Sequence, residues 1–318
     1  MSDTEQAHLF GEPSDKPQQP HNKTHTKNKD KSSTKGQGGQ SAPYTIADFV
    51  REFSKLAPHK HRYDVFRDFV TISAIAIYNA VAKDENYEAE YMKIIGGYKK
   101  EEVGQFAHFF AQVTMMLDPA PYDVLGEVYT ALGLANAKTS QYFTPWPIAE
   151  FMTQIVHGEA LADDKKPFVT VSEPSCGSGV MVLAFAKGLI AQGHNPAQRM
   201  WAECIDIDRL AALMCYVQLS LWNIPAVVIV GNGLTGEVRE AFHTPAHYLG
   251  EWDEKFRMAR MIDAMRDILG RAQAVTSKAV DDTTAEADAE KVTDDAPSAS
   301  SEPPKPMSQN PMQFDFEF

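Results

Sequence analysis

Between residues 168 and 230, short β-branched runs alternate with helix-patterned stretches, and this feature restricts the chain most. Phe168-Val169-Thr170-Val171 is a compact apolar run, and Gly177 to Gly193 reads as a helix closed by its final glycine. Met200 to Ile205 gives a second strand and Asp208 to Trp222 a second helix. Ala226 to Val230 gives a third strand. Strand–helix–strand–helix–strand implies a parallel sheet covered by helices, so the expected class is α/β.

Upstream the pattern changes. Apolar residues recur at three- and four-residue steps in Tyr44–Leu56, Val65–Val81, Phe106–Leu117 and Val124–Leu134, so residues 44–135 read as helical. Few Gly or Pro interrupt them, apart from Gly96-Gly97 and the Pro119–Pro121 break. Met258 to Ala274 reads as a closing helix. The expected layout is a polar tail over 1–42, a helical N-terminal domain over 43–140, an α/β domain over 141–275 and an acidic tail over 276–318.

Charge is uneven. Residues 1–40 sum to +1, residues 278–318 to -7 and the middle to -7, giving -13 in all. Both ends are too polar to offset their ordering entropy and read as disordered. The acidic total argues against a chain that grips nucleic acid through its whole-surface field. Six lysines between Lys16 and Lys35 could add weak, salt-sensitive attraction to phosphates, but such a run reads first as a solvated tail. Cys176, Cys204 and Cys215 form no CxxC pair, which disfavours a zinc knuckle and a disulfide framework. With no signal peptide and no apolar stretch long enough for a membrane span, a soluble cytoplasmic protein is expected.

The most informative run is Glu173-Pro174-Ser175-Cys176-Gly177-Ser178-Gly179, between the first strand and its helix. Its glycines let a ligand approach the backbone, and the following helix offers free N–H groups and a positive dipole end. Val182 stands where a dinucleotide fingerprint needs glycine, and no Lys-Ser/Thr follows. The turn suits a nucleoside better than a pyrophosphate. Cys204-Ile205-Asp206-Ile207-Asp208 ends the second strand. Asp206 is placed to accept both hydroxyls of a ribose. Either aspartate could instead cap the next helix, and Asp208 is the better cap.

Taken together, Gln141-Tyr142-Phe143-Thr144-Pro145, the Glu173–Gly179 run, Asp206-Ile207-Asp208 and Gly231-Asn232-Gly233-Leu234 resemble the motif series of adenine-specific DNA methyltransferases. The similarity is greatest to the methylation subunit of type I restriction-modification systems. Leu125-Gly126-Glu127-Val128-Tyr129 resembles that family's helical lead-in. The resemblance covers about residues 120–235 and implies a Rossmann-like sheet binding S-adenosylmethionine. It also implies roles. Gln141, Tyr142, Phe143, Thr144 and Pro145 would wrap the methionine part, and Glu173 would face its ammonium. Gly177, Ser178 and Gly179 would lie under the carboxylate and ribose. Asp206 would hold the diol, Ile207 would pack on the adenine ring, and Asn232 would meet the adenine edge. Core packing is an alternative for Tyr142 and Phe143, and a plain turn for Asn232-Gly233.

The family also implies an Asn, Asp or Ser followed by two prolines and an aromatic, which cradles the amine of a base turned out of the duplex. No such run follows Leu234. Thr244-Pro245-Ala246-His247-Tyr248 lies nearest the expected position. Pro303-Pro304 and Asn310-Pro311 lie in the acidic tail. The expected function is therefore a DNA adenine methyltransferase, a modification-type subunit acting on DNA with a specificity subunit for target recognition. The alternative is a catalytically silent cofactor-binding relative, acting as a regulatory or anti-restriction factor. The tip Gln313-Phe314-Asp315-Phe316-Glu317-Phe318 departs from its linker. Gln313, Phe316 and Phe318 resemble peptides that dock on the replication sliding clamp.

Overall fold

The computed structural model describes residues 44–135, 143–157 and 167–289, with side chains to residue 271. Five helices come first: α1 (Ile46–Phe53), α2 (Arg62–Asn79), α3 (Glu85–Ile95), α4 (Lys100–Leu117) and α5 (Val124–Ala131). Each start has a local cause. Thr45, Asp84 and Asp123 accept backbone N–H groups from the first turns of α1, α3 and α5. The rings of Phe49, Phe53, Phe66, Phe69, Phe106 and Phe109 interlock at centroid distances of 5.0–6.4 Å and form the middle of this helical part.

After α6 (Trp146–His157), the α/β part begins. It runs β1 (Val169–Glu173), α7 (Val180–Ala191), α8 (Pro196–Arg199), β2 (Met200–Asp206), α9 (Arg209–Leu221) and β3 (Ala226–Asn232). The three strands are parallel and lie side by side, β2 in the middle. The expected strand–helix alternation is the observed one, and the class is α/β. Every residue of β3 up to Gly231 is buried, which is why it reads as an unbroken apolar run. The helical part and the sheet share one continuous core.

Two elements differ from expectation. β4 (Glu237–His243) turns back antiparallel beside β3, with a register irregularity at Val230/Gly231. Its sequence, Glu-Val-Arg-Glu-Ala-Phe-His, is largely charged because it is an edge strand. Phe242 is nonetheless fully buried, against Tyr78, Tyr87 and Tyr216. After α10 (Pro245–Leu249), α11 (Trp252–Ala289) runs well past the Ala274 end that periodicity suggests. Among the described residues, no strand pairs with the outer edge of β1, and no helix is long and apolar enough to cross a membrane.

Candidate cofactor site

The glycine turn and the tip of β2 meet directly. The Gly177 amide donates to Asp206 Oδ2 at 2.8 Å, and the Asp208 amide donates to Asp206 Oδ1 at 2.8 Å. Cys176 N–H reaches Ile205 C=O at 2.8 Å, which locks the turn against β2. Gly177 and Gly179 adopt φ of +54° and +94°. A Cβ on Gly177 would sit 3.1 Å from the Phe143 ring, and one on Gly179 would sit 2.9 Å from Cys215 Sγ. Both glycines are thus needed for conformation and for space.

The same contacts bring the motifs together. Phe143 lies against Gly177 and meets Tyr129 edge-on at 5.4 Å. Pro145 C=O accepts from Ile148 and Ala149 and opens α6. Gly233 leaves room for Pro174, whose carbonyl would be 2.6 Å from an added Cβ. The ends of β1, β2 and β3 therefore converge around one turn, with Phe143 as its lateral wall. Gln141 and Tyr142 lie outside the described residues.

Two carboxylates line this place. Asp206 is only 8% exposed, and burial raises its pKa although the Asp208 and Gly177 amides pull the other way. Burial likewise raises Glu173, and the charge of Asp206 adds to the rise. The charge of Asp208 adds to the rise at Asp206, so both carboxylates carry a cost for ionising that neighbouring negative charge increases. Ile207, next along, is 65% exposed. Asp208 accepts from Leu210 and Ala211 at 2.7 and 3.4 Å, which makes it the cap of α9 as its sequence position suggests.

Two of the residues named by the resemblance have side chains engaged within the protein. Ser178 is fully buried and its hydroxyl donates to Asp123 Oδ2 at 2.6 Å, so only its backbone can face a ligand. Asn232 Oδ1 accepts from Leu234 and Thr235 at 3.0 and 3.4 Å. It thereby caps the β3–β4 turn, which leaves its amide group as the donor for any adenine edge.

Sequence reasoning missed the support beneath the turn. Asp123 is buried among donors: Ser178, the Gly126 amide at 2.9 Å and Gln218 Nε2 at 2.9 Å. Burial raises its pKa against those three hydrogen bonds. Gln218, on α9 and fully buried, also donates to Ser178 C=O at 2.8 Å and accepts from Leu125 N–H at 3.0 Å. Gly126 is confined here too, since a Cβ would lie 2.1 Å from Asp123 Oδ2. The Asp–x–x–Gly spacing at the start of α5 was a helix-cap signal, but its long-range partners carry no sequence mark. Cys176, Cys204 and Cys215 are buried thiols beside this network. Sharing hydrogens with Cys204 holds the thiol of Cys176 well above its usual range.

The run Thr244–Tyr248 is not at this site. His243 pairs with Val227 at the start of β3, whereas Glu237 pairs with Asn232 at its end. Thr244 Oγ1 donates to Ile224 C=O at 2.8 Å and accepts from Ala226 N–H at 3.0 Å. The run therefore lies at the opposite end of the sheet from Gly177 and Asp206. His247 accepts from Trp201 Nε1 at 3.1 Å and stacks with His243 at 4.4 Å, a packing role. No metal-binding cluster occurs among the described residues.

A parallel sheet with a glycine-rich turn after its first strand and an acid at the end of its second has the layout of a nucleotide-binding α/β fold. Residues 120–272 match the family model for N-6 DNA methylase. Two solved structures are similar. One is a protein from Listeria monocytogenes assigned as a class I S-adenosylmethionine-dependent methyltransferase, at 13% identity and TM-score 0.32, covering 57% of this chain and 51% of that one. The other is the methyltransferase subunit of a type I restriction-modification system from Streptococcus thermophilus, at 14% identity and TM-score 0.31, covering 57% and 56%. The chain thus spans about half the length of these structures. No curated protein matches.

Proposed function

We propose that this chain carries the S-adenosylmethionine site of a DNA adenine methyltransferase, as a modification-type subunit that takes target recognition from a specificity subunit. The observation that carries the reading is the bond from the Gly177 amide to Asp206 Oδ2 at 2.8 Å. It joins the glycine turn and the acidic strand tip into one cleft walled by Phe143.

The residues fit the cofactor. Gly177, Gly179 and Gly233 leave space that a Cβ would fill. Glu173 and Asp206 supply negative charge where burial makes that charge costly unless a cation or hydrogen-bond donors meet it. When bound, S-adenosylmethionine supplies an electrophilic methyl group on a sulfonium. Asp206 would accept the ribose hydroxyls with the lone pairs left after Gly177 and Asp208. Glu173 would face the ammonium, Ile207 would cover one face of the adenine, and Gln141 to Pro145 would close over the methionine part. Binding of labelled cofactor, followed by transfer to unmethylated DNA, tests the reading. Methyl transfer abolished by Asp206→Ala is expected.

A second reading is favoured by a specific observation. The described residues hold no polar–Pro–Pro–aromatic run, and Thr244–Tyr248 lies at the wrong end of the sheet. A silent cofactor binder acting as a regulatory or anti-restriction factor would bind S-adenosylmethionine and transfer nothing, even beside a specificity subunit. The clamp-docking tip, Gln313, Phe316 and Phe318, lies outside the described residues. Its proposal rests on sequence pattern alone. Unchanged clamp retention after deletion of the last six residues would end it.

A further inference from the structure

Past its first turns, and as far as Arg271, helix α11 has its side chains in solvent. Trp252 is fully buried, and Phe256 packs edge-on against Phe168 at 5.6 Å and Trp201 at 4.9 Å, which anchors the helix at the start of β1 and β2. From Arg260 to Arg271 every residue is exposed. Met258, Met261, Ile262, Met265, Ile268 and Leu269 succeed one another at helical steps and form a single stripe. Each is between 43% and 68% exposed. The charges keep to the remaining surface, where Arg257 pairs with Glu254 and Arg266 with Asp263.

A helix gains most of its stability in a protein by burying such a stripe. Six large side chains this exposed present on the order of 600 Å² of apolar surface, the top of the range for the largest patch on a monomer. Two such faces pressed together would bury on the order of 1,200 Å² in total, the lower end of the range for a specific interface. A straight stripe of this length takes another helix.

Several features select a second copy. Neither residues 1–43 nor residues 290–318 hold a run of large apolar residues at three- and four-residue spacing, and Phe314, Phe316 and Phe318 step by two. The stripe itself is uncharged, so it demands no partner of opposite sign. Half of its six members are methionines, whose unbranched side chains adapt to an identical neighbour. From Trp252 to Arg271, five basic residues face four acidic ones, or +1, against -13 for the whole chain. A face so close to neutral adds little repulsion of its own when two copies meet there. We propose that α11 is a dimerisation helix, two copies of this chain pairing stripe to stripe.

Size-exclusion chromatography with light scattering on the full chain at micromolar concentration tests this directly. The expected mass is twice the 35.3 kDa of one chain. The triple variant Met261→Glu/Met265→Glu/Ile268→Glu should run at the single-chain mass with its circular dichroism and urea midpoint kept. Should that variant lose its fold, Met265→Lys serves instead, since this side chain is 58% exposed in one copy. It should raise the dimer dissociation constant at least tenfold. A wild-type mass of one chain overturns the proposal, as does a mass that doubles only on addition of another protein. A variant as dimeric as the wild type also overturns it.

Discussion

Asp123 at the start of α5 and Ser178 inside the glycine turn share a 2.6 Å hydrogen bond, both fully buried or nearly so. The helical part of the chain thereby supports the floor of the cofactor cleft from below. Removing the carboxylate strands the Ser178 hydroxyl, the Gly126 amide and the Gln218 amide together. Asp123→Ala should lower stability by about 3–5 kcal/mol, the range for breaking a buried polar cluster by one partner. Urea denaturation of the purified variant measures it.

The glycines give a second expectation. Gly179→Ala meets both a φ of +94° and a contact of 2.9 Å with Cys215 Sγ. It should cost roughly 1–3 kcal/mol, read as a lowered urea midpoint with an unchanged slope. Gly193 also has positive φ, at +82°, but has nothing within 4 Å of an added Cβ. Gly193→Ala should therefore be the milder change in the same assay.

Cofactor affinity should depend on pH with a definite sign. Burial holds Asp206 and Glu173 above their ordinary values of 3.8 and 4.5. A cation binds their ionised forms better, so affinity should be weak at those values and strengthen as pH rises through the raised ones. Stability of the ligand-free protein should move oppositely over the same window. The folded state binds protons that the unfolded state has released, so this contribution is present at low pH and lost as pH rises. Calorimetric titrations and melting curves between about pH 4 and 7 check both slopes. An affinity that falls across this window would remove these carboxylates from the site.

The far end of the sheet should be silent toward the cofactor. Tyr248→Ala lies beyond the start of β3, on the side where His243 pairs with Val227. Affinity for S-adenosylmethionine should stay within about twofold of wild type, a change of under half a kcal/mol. Equilibrium dialysis reads it.

Much of this arrangement was legible before any coordinates. The β-branched run of β3 and the glycine turn after β1 are local signals, strong because parallel strands are buried on both faces. Asp208 announced itself as a helix cap by position alone. β4 did not, because four of its seven residues are charged or histidine and its apolar alternation is broken. α3 falls inside the region read as helical but outside its four periodic stretches, because none of its residues is buried and its apolar stripe is thin. The Asp123–Gln218 bond joins residues 95 positions apart and depends on α5 and α9 being packed together. No spacing rule reaches that far. The Ser178 side chain is set by tertiary packing against Asp123, whereas Asn232 caps the local turn that its Asn-Gly sequence offers.

The decisive measurement is isothermal titration calorimetry of S-adenosylmethionine into the wild type and Asp206→Ala. The account predicts binding by the wild type and a loss of about ten- to a hundredfold in the variant, equivalent to charge-assisted hydrogen bonds of roughly 1.5–3 kcal/mol. No heat from the wild type, or equal affinity in the two proteins, would contradict it.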